Sequence, residues 1–168
     1  GSHTVDTKEK IGLEKRSRQG ELPLSFAQQR MWFLDQMEPG NPELNIPGAL
    51  KMTGKLDAIV LKEALRQFMN RHEALRTTFG NHGGKPYQCI VPEIKLPLDE
   101  EDLSQLSPAQ KEIGLHDILS KEAKRSFDLS AGPLCWFRLI KLAKKEHILV
   151  FVFHHIVSDG WSIGIFTG

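Results

Sequence analysis

Near the end of this 168-residue sequence, Phe151-Val152-Phe153-His154-His155-Ile156-Val157-Ser158-Asp159-Gly160-Trp161-Ser162 places two imidazoles, a carboxylate, two hydroxyls and a glycine directly after an apolar run. Imidazole is the side chain that exchanges a proton near neutral pH. A histidine here could deprotonate an amine, stabilise a developing oxyanion, or hold an amine in place. Adjacent residues at a strand end project to opposite faces, so one histidine can face a cavity while its neighbour packs inward or bonds to backbone. The same divergence argues against a metal centre, which needs convergent ligands and a third or fourth donor. Ser158 and Ser162 lack the flanking glycines of a nucleophile elbow and read as surface or capping residues. Asp159 follows His155 by four residues across a turn, a poor position from which to orient it as in a hydrolase triad. Gly160 permits a close backbone approach or a positive φ. Trp161 and Ser162 open the next helix, where core packing and an early cap account for them as well as contact with a substrate does.

The element that delivers these residues is a strand. From Ile148 to Phe153 no side chain is polar, the pattern of a strand buried on both faces, with chemistry appearing only where it ends. His147 to His155 pairs through the charged turn Ala143–Glu146 with a strand over Leu134 to Leu142. Upstream, Ser25 with Gln28 three residues on forms a capping box for a helix running through Met31, Trp32, Phe33 and Leu34 to Met37, with Phe33 and Met37 on one core stripe. Leu44 to Met52 is a candidate strand. Leu61, Ala64, Leu65, Phe68 and Met69 give a helix from Asp57 to about His72. Leu75 to Phe79 reads as a short strand, joined through Asn81-His82-Gly83-Gly84 to a hairpin partner over Tyr87 to Val91. Gly83-Gly84-Lys85 lacks the phosphate-loop pattern. Glu93 to Ser104 reads as an acidic irregular connection. Ser107-Pro108 caps another helix with a stripe of Leu115, Ile118, Leu119 and Ala123, and Asp128 to Pro133 is a turn. Strands alternate with helices, so the expected class is α/β with a mixed sheet flanked by helices.

The bulk composition excludes more than it selects. Lys+Arg 22 against Asp+Glu 21 leaves a net charge of +1, so no whole-molecule field selects nucleic acid or an anionic membrane. No apolar segment reaches spanning length and no signal-peptide core begins the chain, so the expected location is cytoplasmic. Cys89 and Cys135 each fall inside an apparent strand, without metal-ligand spacing, and read as reduced core residues. Gly1-Ser2-His3 resembles the scar of a cleaved tag. Thr4 to Gly20 is charged and unpatterned, so residues 1–20 are expected to be tag scar and linker, and the chain a piece of something longer.

Three stretches together resemble the first three signature motifs of the condensation domains of nonribosomal peptide synthetases. They are Ser25-Phe26-Ala27-Gln28-Gln29-Arg30-Met31-Trp32-Phe33-Leu34, Arg71-His72-Glu73-Ala74-Leu75-Arg76-Thr77-Thr78-Phe79, and His154-His155-Ile156-Val157-Ser158-Asp159-Gly160, in family order. The resemblance implies a chloramphenicol-acetyltransferase-like lobe over residues 21–168, the N-terminal one of two that enclose a tunnel; later motifs of the second lobe are absent. It implies amide bond formation between acyl or peptidyl and aminoacyl thioesters carried on the phosphopantetheine of upstream and downstream carrier proteins, with no cofactor bound by the chain itself. Implied partners are those carriers, the C-terminal lobe and an adenylation domain of the same synthetase.

By the same resemblance His155 is the active-site residue. His154 and Gly160 shape the turn, and Asp159 points away to pair with an arginine, for which Arg71 and Arg76 are candidates. Arg30, Trp161 and Ser162 could line the tunnel; for Arg30 an exposed or ion-paired role is the equal alternative. Two further readings stand beside this one: a lobe of an epimerisation domain or related acyltransferase, and a carrier-binding module without turnover. The isolated fragment is expected to be inactive.

Overall fold

In a computed structural model, which describes residues 17–158, the chain runs β1 (Glu21–Leu22), α1 (Phe26–Met37), β2 (Asn45–Thr53), α2 (Ala58–Arg71), β3 (Thr77–His82), β4 (Lys85–Ile90), β5 (Leu98–Asp102), α3 (Pro108–Ala123), β6 (Cys135–Ala143) and β7 (Glu146–His154). Most of the expected linker, and Asp159, Gly160, Trp161 and Ser162, lie outside the described residues.

Local chemistry sets the helix starts. Ser25 Oγ accepts the Gln28 N–H at 3.2 Å while Gln28 Oε1 accepts the Ser25 N–H at 2.8 Å, closing the expected capping box of α1. Ser107 and Gln110 repeat it at α3, where Pro108 takes a first-turn position that needs no N–H donor. Asp57 caps α2 by accepting from the amides of Ile59 and Val60.

The strands form a three-stranded sheet, β1-β4-β3, and a four-stranded one, β2-β7-β6-β5. The larger sheet is mixed: β7 is antiparallel to β2 and β6, and β5 lies parallel to β6. β7 is therefore central, with β2 paired to it from Asn45↔His154 to Thr53↔Glu146.

Side chains of β7 alternate between two helical layers, as a pleat requires. Leu149, Phe151 and Phe153 pack with Leu65 and Met69 of α2. Val150 joins Leu103 and Ile140 beneath Leu115, Ile118 and Leu119 of α3, and Val152 joins Phe79, Phe127 and Leu134 against Met31 and Trp32 of α1. Both faces are thus covered, which is why the run needs no polar residue. Gly48 on β2 faces Phe151; a Cβ there would lie 2.2 Å from the ring.

Four expectations change. Phe33 and Met37 are 60% and 70% exposed; α1 turns Met31, Trp32 and Asp35 inward instead, because a helix apolar on most sides lets its neighbours choose the buried face. Leu75 and Arg76 belong to a 3-10 turn, Glu73–Arg76, and β3 begins only at Thr77. The acidic stretch expected to be irregular contains β5, whose Asp99 and Glu101 pair with Arg138 on the neighbouring strand. Cys135 is fully buried and its thiol is pushed up to about 12 by burial, but Cys89 is only half-buried, its Sγ 3.7 Å from the Gly20 carbonyl. No helix among the described residues is long and apolar enough to cross a membrane.

Candidate functional site

β7 ends at His154, and His155 is the first residue of the turn that follows. The two separate as adjacent strand-end residues do: His154 is 1% exposed, whereas His155 is open to solvent.

His154 falls on the same face of β7 as Val150 and Val152, which directs it toward α1. Its backbone N–H donates to the Leu134 carbonyl at 2.9 Å, and its Nδ1 accepts the Ile156 N–H at 3.0 Å. Phe127 meets the ring edge-on, centroids 6.2 Å apart. Nε2 is buried with no hydrogen-bond partner and faces Asp35 Oδ1 at 3.9 Å. Burial first, and the neighbouring His155 second, lower the His154 pKa from the ordinary 6.5 to about 4, so the ring is neutral at physiological pH.

His155 is fixed through its backbone, the N–H donating to the Leu44 carbonyl at 2.8 Å, while Val157 N–H closes the turn on the His154 carbonyl at 3.1 Å. His155 lines a cavity of about 480 Å³ shared with Ser25, Ala27, Gln28, Arg30 and Met31 of the α1 start, and with Ile156, Val157 and Ser158. The first and third signature stretches, far apart in sequence, therefore meet in one place. An accessible imidazole near a guanidinium and a mixed polar and apolar wall can receive a proton, donate a hydrogen bond, or orient an amine.

No residue of the second stretch lines that cavity, although its last residue, Phe79, packs in the cluster that includes Ile156, Met31 and Trp32. Arg71 is exposed at the C-terminal end of α2. Arg76 donates to the carbonyls of Asn70, Val91 and Pro92, clamping the end of β4 to the α2 terminus, while its Nε is buried without a partner. The expected pairing of Asp159 with Arg71 or Arg76 falls outside the described residues, as do Gly160, Trp161 and Ser162. No group of three His, Cys, Asp or Glu side chains among the described residues is placed to hold a metal ion.

Sequence reasoning passed over Asp35. It is 4% exposed and accepts the Gly40 N–H at 3.2 Å. Burial raises its pKa above the ordinary carboxylate value, with a smaller upward push from Asp128, against the lowering effect of the Gly40 bond. The available signal was a carboxylate three and four residues beyond Trp32 and Met31, on the stripe that turned out to face the core.

The condensation-domain family profile matches residues 18–168. A linear gramicidin synthase of Brevibacillus parabrevis is 44% identical over 149 residues, 89% of this chain and 2% of that protein. Phosphinothricin tripeptide synthetase PhsC of Streptomyces viridochromogenes is 41% identical over 146 residues, 87% of this chain and 13% of the relative. Among solved structures, the starter condensation domain of rhizomide synthetase RzmA superposes with a TM-score of 0.79 at 24% identity, over 88% of this chain and 35% of that one. The first condensation domain of the calcium-dependent antibiotic synthetase, in complex with a substrate analogue, gives 0.77 at 27% identity over 88% and 35%. The chain thus spans a small share of the synthetases it matches and about a third of the solved chains.

Proposed function

We propose that this chain, which belongs to the condensation-domain family, is the histidine-bearing N-terminal lobe of a domain that joins two carrier-bound thioesters through an amide bond. The lobe is proposed to begin near Glu21, where β1 starts, with residues 1–20 as tag scar and linker. In the reaction, the amine of a downstream aminoacyl thioester attacks the carbonyl carbon of an upstream acyl or peptidyl thioester. A C–N bond forms, the C–S bond breaks, and the phosphopantetheine thiolate leaves as the amine sheds a proton. Much of the barrier lies in bringing two tethered reactants into alignment, which a cavity walled by two lobes can supply.

His155 is the group proposed to meet the attacking amine, holding its lone pair toward the carbonyl and taking up the released proton. Arg30, which lines the same cavity, is proposed to face the thioester arm. The second wall comes from the C-terminal lobe, so this chain alone does not turn over. Proposed partners are upstream and downstream carrier proteins and the adenylation domain of the same synthetase. A cytoplasmic setting fits two cysteines that stay free.

The observation that carries the reading is the single cavity shared by His155 and the first signature stretch. The test is dipeptide formation by the intact parent domain bearing His155→Ala. Loss of about 100-fold or more in rate, with the urea midpoint unchanged, is expected. Full retention of activity overturns the assignment, and racemisation of a tethered aminoacyl group without amide formation would move the domain to the epimerising branch.

A further inference from the structure

His154 poses a tautomer problem that its own strand does not solve. Nδ1 accepts the Ile156 N–H at 3.0 Å, so it carries no proton, and the neutral ring must hold its proton on Nε2. In the other tautomer two N–H donors would confront each other, and the tie between the ring and the turn after β7 would be lost. That turn is the one that begins with His155.

The polar atom Nε2 faces is Asp35 Oδ1, at 3.9 Å. Asp35 is held for this position from its other side. Gly40 donates its N–H to the same Oδ1 at 3.2 Å, leaving that oxygen a second lone pair. Gly40 itself sits at φ +73°, where a Cβ would come within 2.1 Å of Ser126 Oγ, so the segment after α1 is pressed against the chain following α3. The ionisable groups close enough to act on the pair are His155 for His154 and Asp128 for Asp35, and the Gln36 side chain also hydrogen-bonds the Asp35 carboxylate. Phe127 closes the ring edge without offering a polar atom. At 3.9 Å the two atoms are beyond a formed hydrogen bond, yet too close for a water to bridge with good geometry.

We infer that Asp35 is a positioning residue: by receiving Nε2–H it holds His154 in the tautomer whose Nδ1 ties down Ile156 N–H, and so fixes the turn that presents His155 to the cavity. Asp35 acts through His154 and touches no substrate. The inference rests on the proposed function for its catalytic consequence but not for its structural one.

Two measurements test it. Long-range proton–nitrogen correlation of the imidazoles in the 168-residue chain at neutral pH is expected to show His154 protonated on Nε2 in the wild type and in Asp35→Asn, whose amide oxygen still accepts. Asp35→Ala is expected to show loss of that single tautomer. In the intact parent domain, Asp35→Ala is expected to lower kcat for amide formation by about 10- to 100-fold with KM for the downstream thioester changed less than about 3-fold, and Asp35→Asn to stay within about 3-fold of wild type. An unchanged tautomer or an unchanged kcat in Asp35→Ala overturns the inference. Should Asp35→Ala not fold, a wild-type ring protonated on Nδ1, or an Asp35→Asn chain that folds but loses the Nε2–H form, overturns it equally. Full activity of His155→Ala would defeat the functional reading while leaving the tautomer result to stand or fall by itself.

Discussion

Glu122 and Asp35 are both carboxylates withdrawn from water, 1% and 4% exposed, and both sit on helices packed against the same sheet. Around Glu122 the structure is lavish with cations. Oε2 accepts from Arg125 Nε at 2.7 Å and Oε1 from Arg138 Nε at 2.8 Å. Arg138 continues to Asp99 at 3.1 Å and Glu101 at 2.9 Å, and Arg125 lies 4.0 Å over the Trp136 ring, whose Nε1 donates to Asp99. Burial works to raise the Glu122 pKa, yet the two guanidiniums outweigh it and the net shift is downward. Asp35 has no guanidinium or ammonium partner among the described residues; it has the Gly40 backbone amide, the Gln36 side chain and, 3.9 Å away, a neutral imidazole, and its shift is upward. A carboxylate bonded by two guanidiniums stays ionised and fastens strands together, whereas a carboxylate without a cation sits beside the residues that present the candidate site.

The contrast can be broken at its strong end first. Glu122→Ala is expected to cost about 3–5 kcal/mol in urea unfolding, because Arg138 and Arg125 keep their charges in a half-buried place. A cost below about 1 kcal/mol would show that Asp99 and Glu101 alone suffice and that the cluster is less dependent on Glu122 than its geometry implies.

Acid should separate the two regions by pH window. His154 has a folded pKa below its unfolded one, so the unfolded chain takes up the proton first. Stability is complete above about pH 6.5 and is lost as pH falls toward about 4, on the order of 3 kcal/mol over the window. Glu122, a depressed carboxylate, adds its loss only below its ordinary value of 4.5. Asp35 has the opposite sign and offsets some of the acid loss. Urea midpoints of the 168-residue chain measured from pH 7 to 4 are expected to fall for the wild type and to flatten in His154→Gln. A flat wild-type profile would mean the ring titrates as if in water.

Smaller effects complete the series. Asp35→Asn replaces a carboxylate that lacks a cation, and is expected to stay within about 1 kcal/mol of wild type at pH 7, in contrast to the same amide exchange at Glu122. Lys62→Met removes an exposed pair with Glu100 at 2.7 Å and is expected to change stability by less than about 0.5 kcal/mol. If Asp35→Asn proved as damaging as Glu122→Ala, the distinction drawn between the two carboxylates would fail.

Features governed by neighbours in sequence were readable before the structure: the capping box of α1, the Ser107-Pro108 cap of α3, the periodic face of α2, the Gly83-Gly84 hairpin, and the apolar run that marks β7 as buried on both faces. What escaped depends on partners distant in sequence. The strand Leu98-Asp99-Glu100-Glu101-Asp102 is too acidic to look like one until Arg138 is brought beside it. Helix α1 carries apolar residues around most of its circumference, so spacing alone put Phe33 and Met37 inside, whereas the packed face holds Met31, Trp32 and Asp35. The divergence of His154 and His155 followed from the pleat. The tie from His154 to α1 did not, because nothing local marks Asp35 as its counterpart.

The cavity's two walls differ in how much change they can absorb. His155 follows a strand hydrogen-bonded on both edges along its length, so substitutions at Val150, Val152 or His154 are felt throughout the sheet. Ala27 and Arg30 reach the same cavity from exposed positions on a helix surface. A library of variants built at those two helix positions would alter the cavity's shape and charge while leaving the folding of the lobe nearly untouched. The same cavity can therefore be remodelled from the α1 side, by an engineer or by a lineage, with the histidine kept where it is.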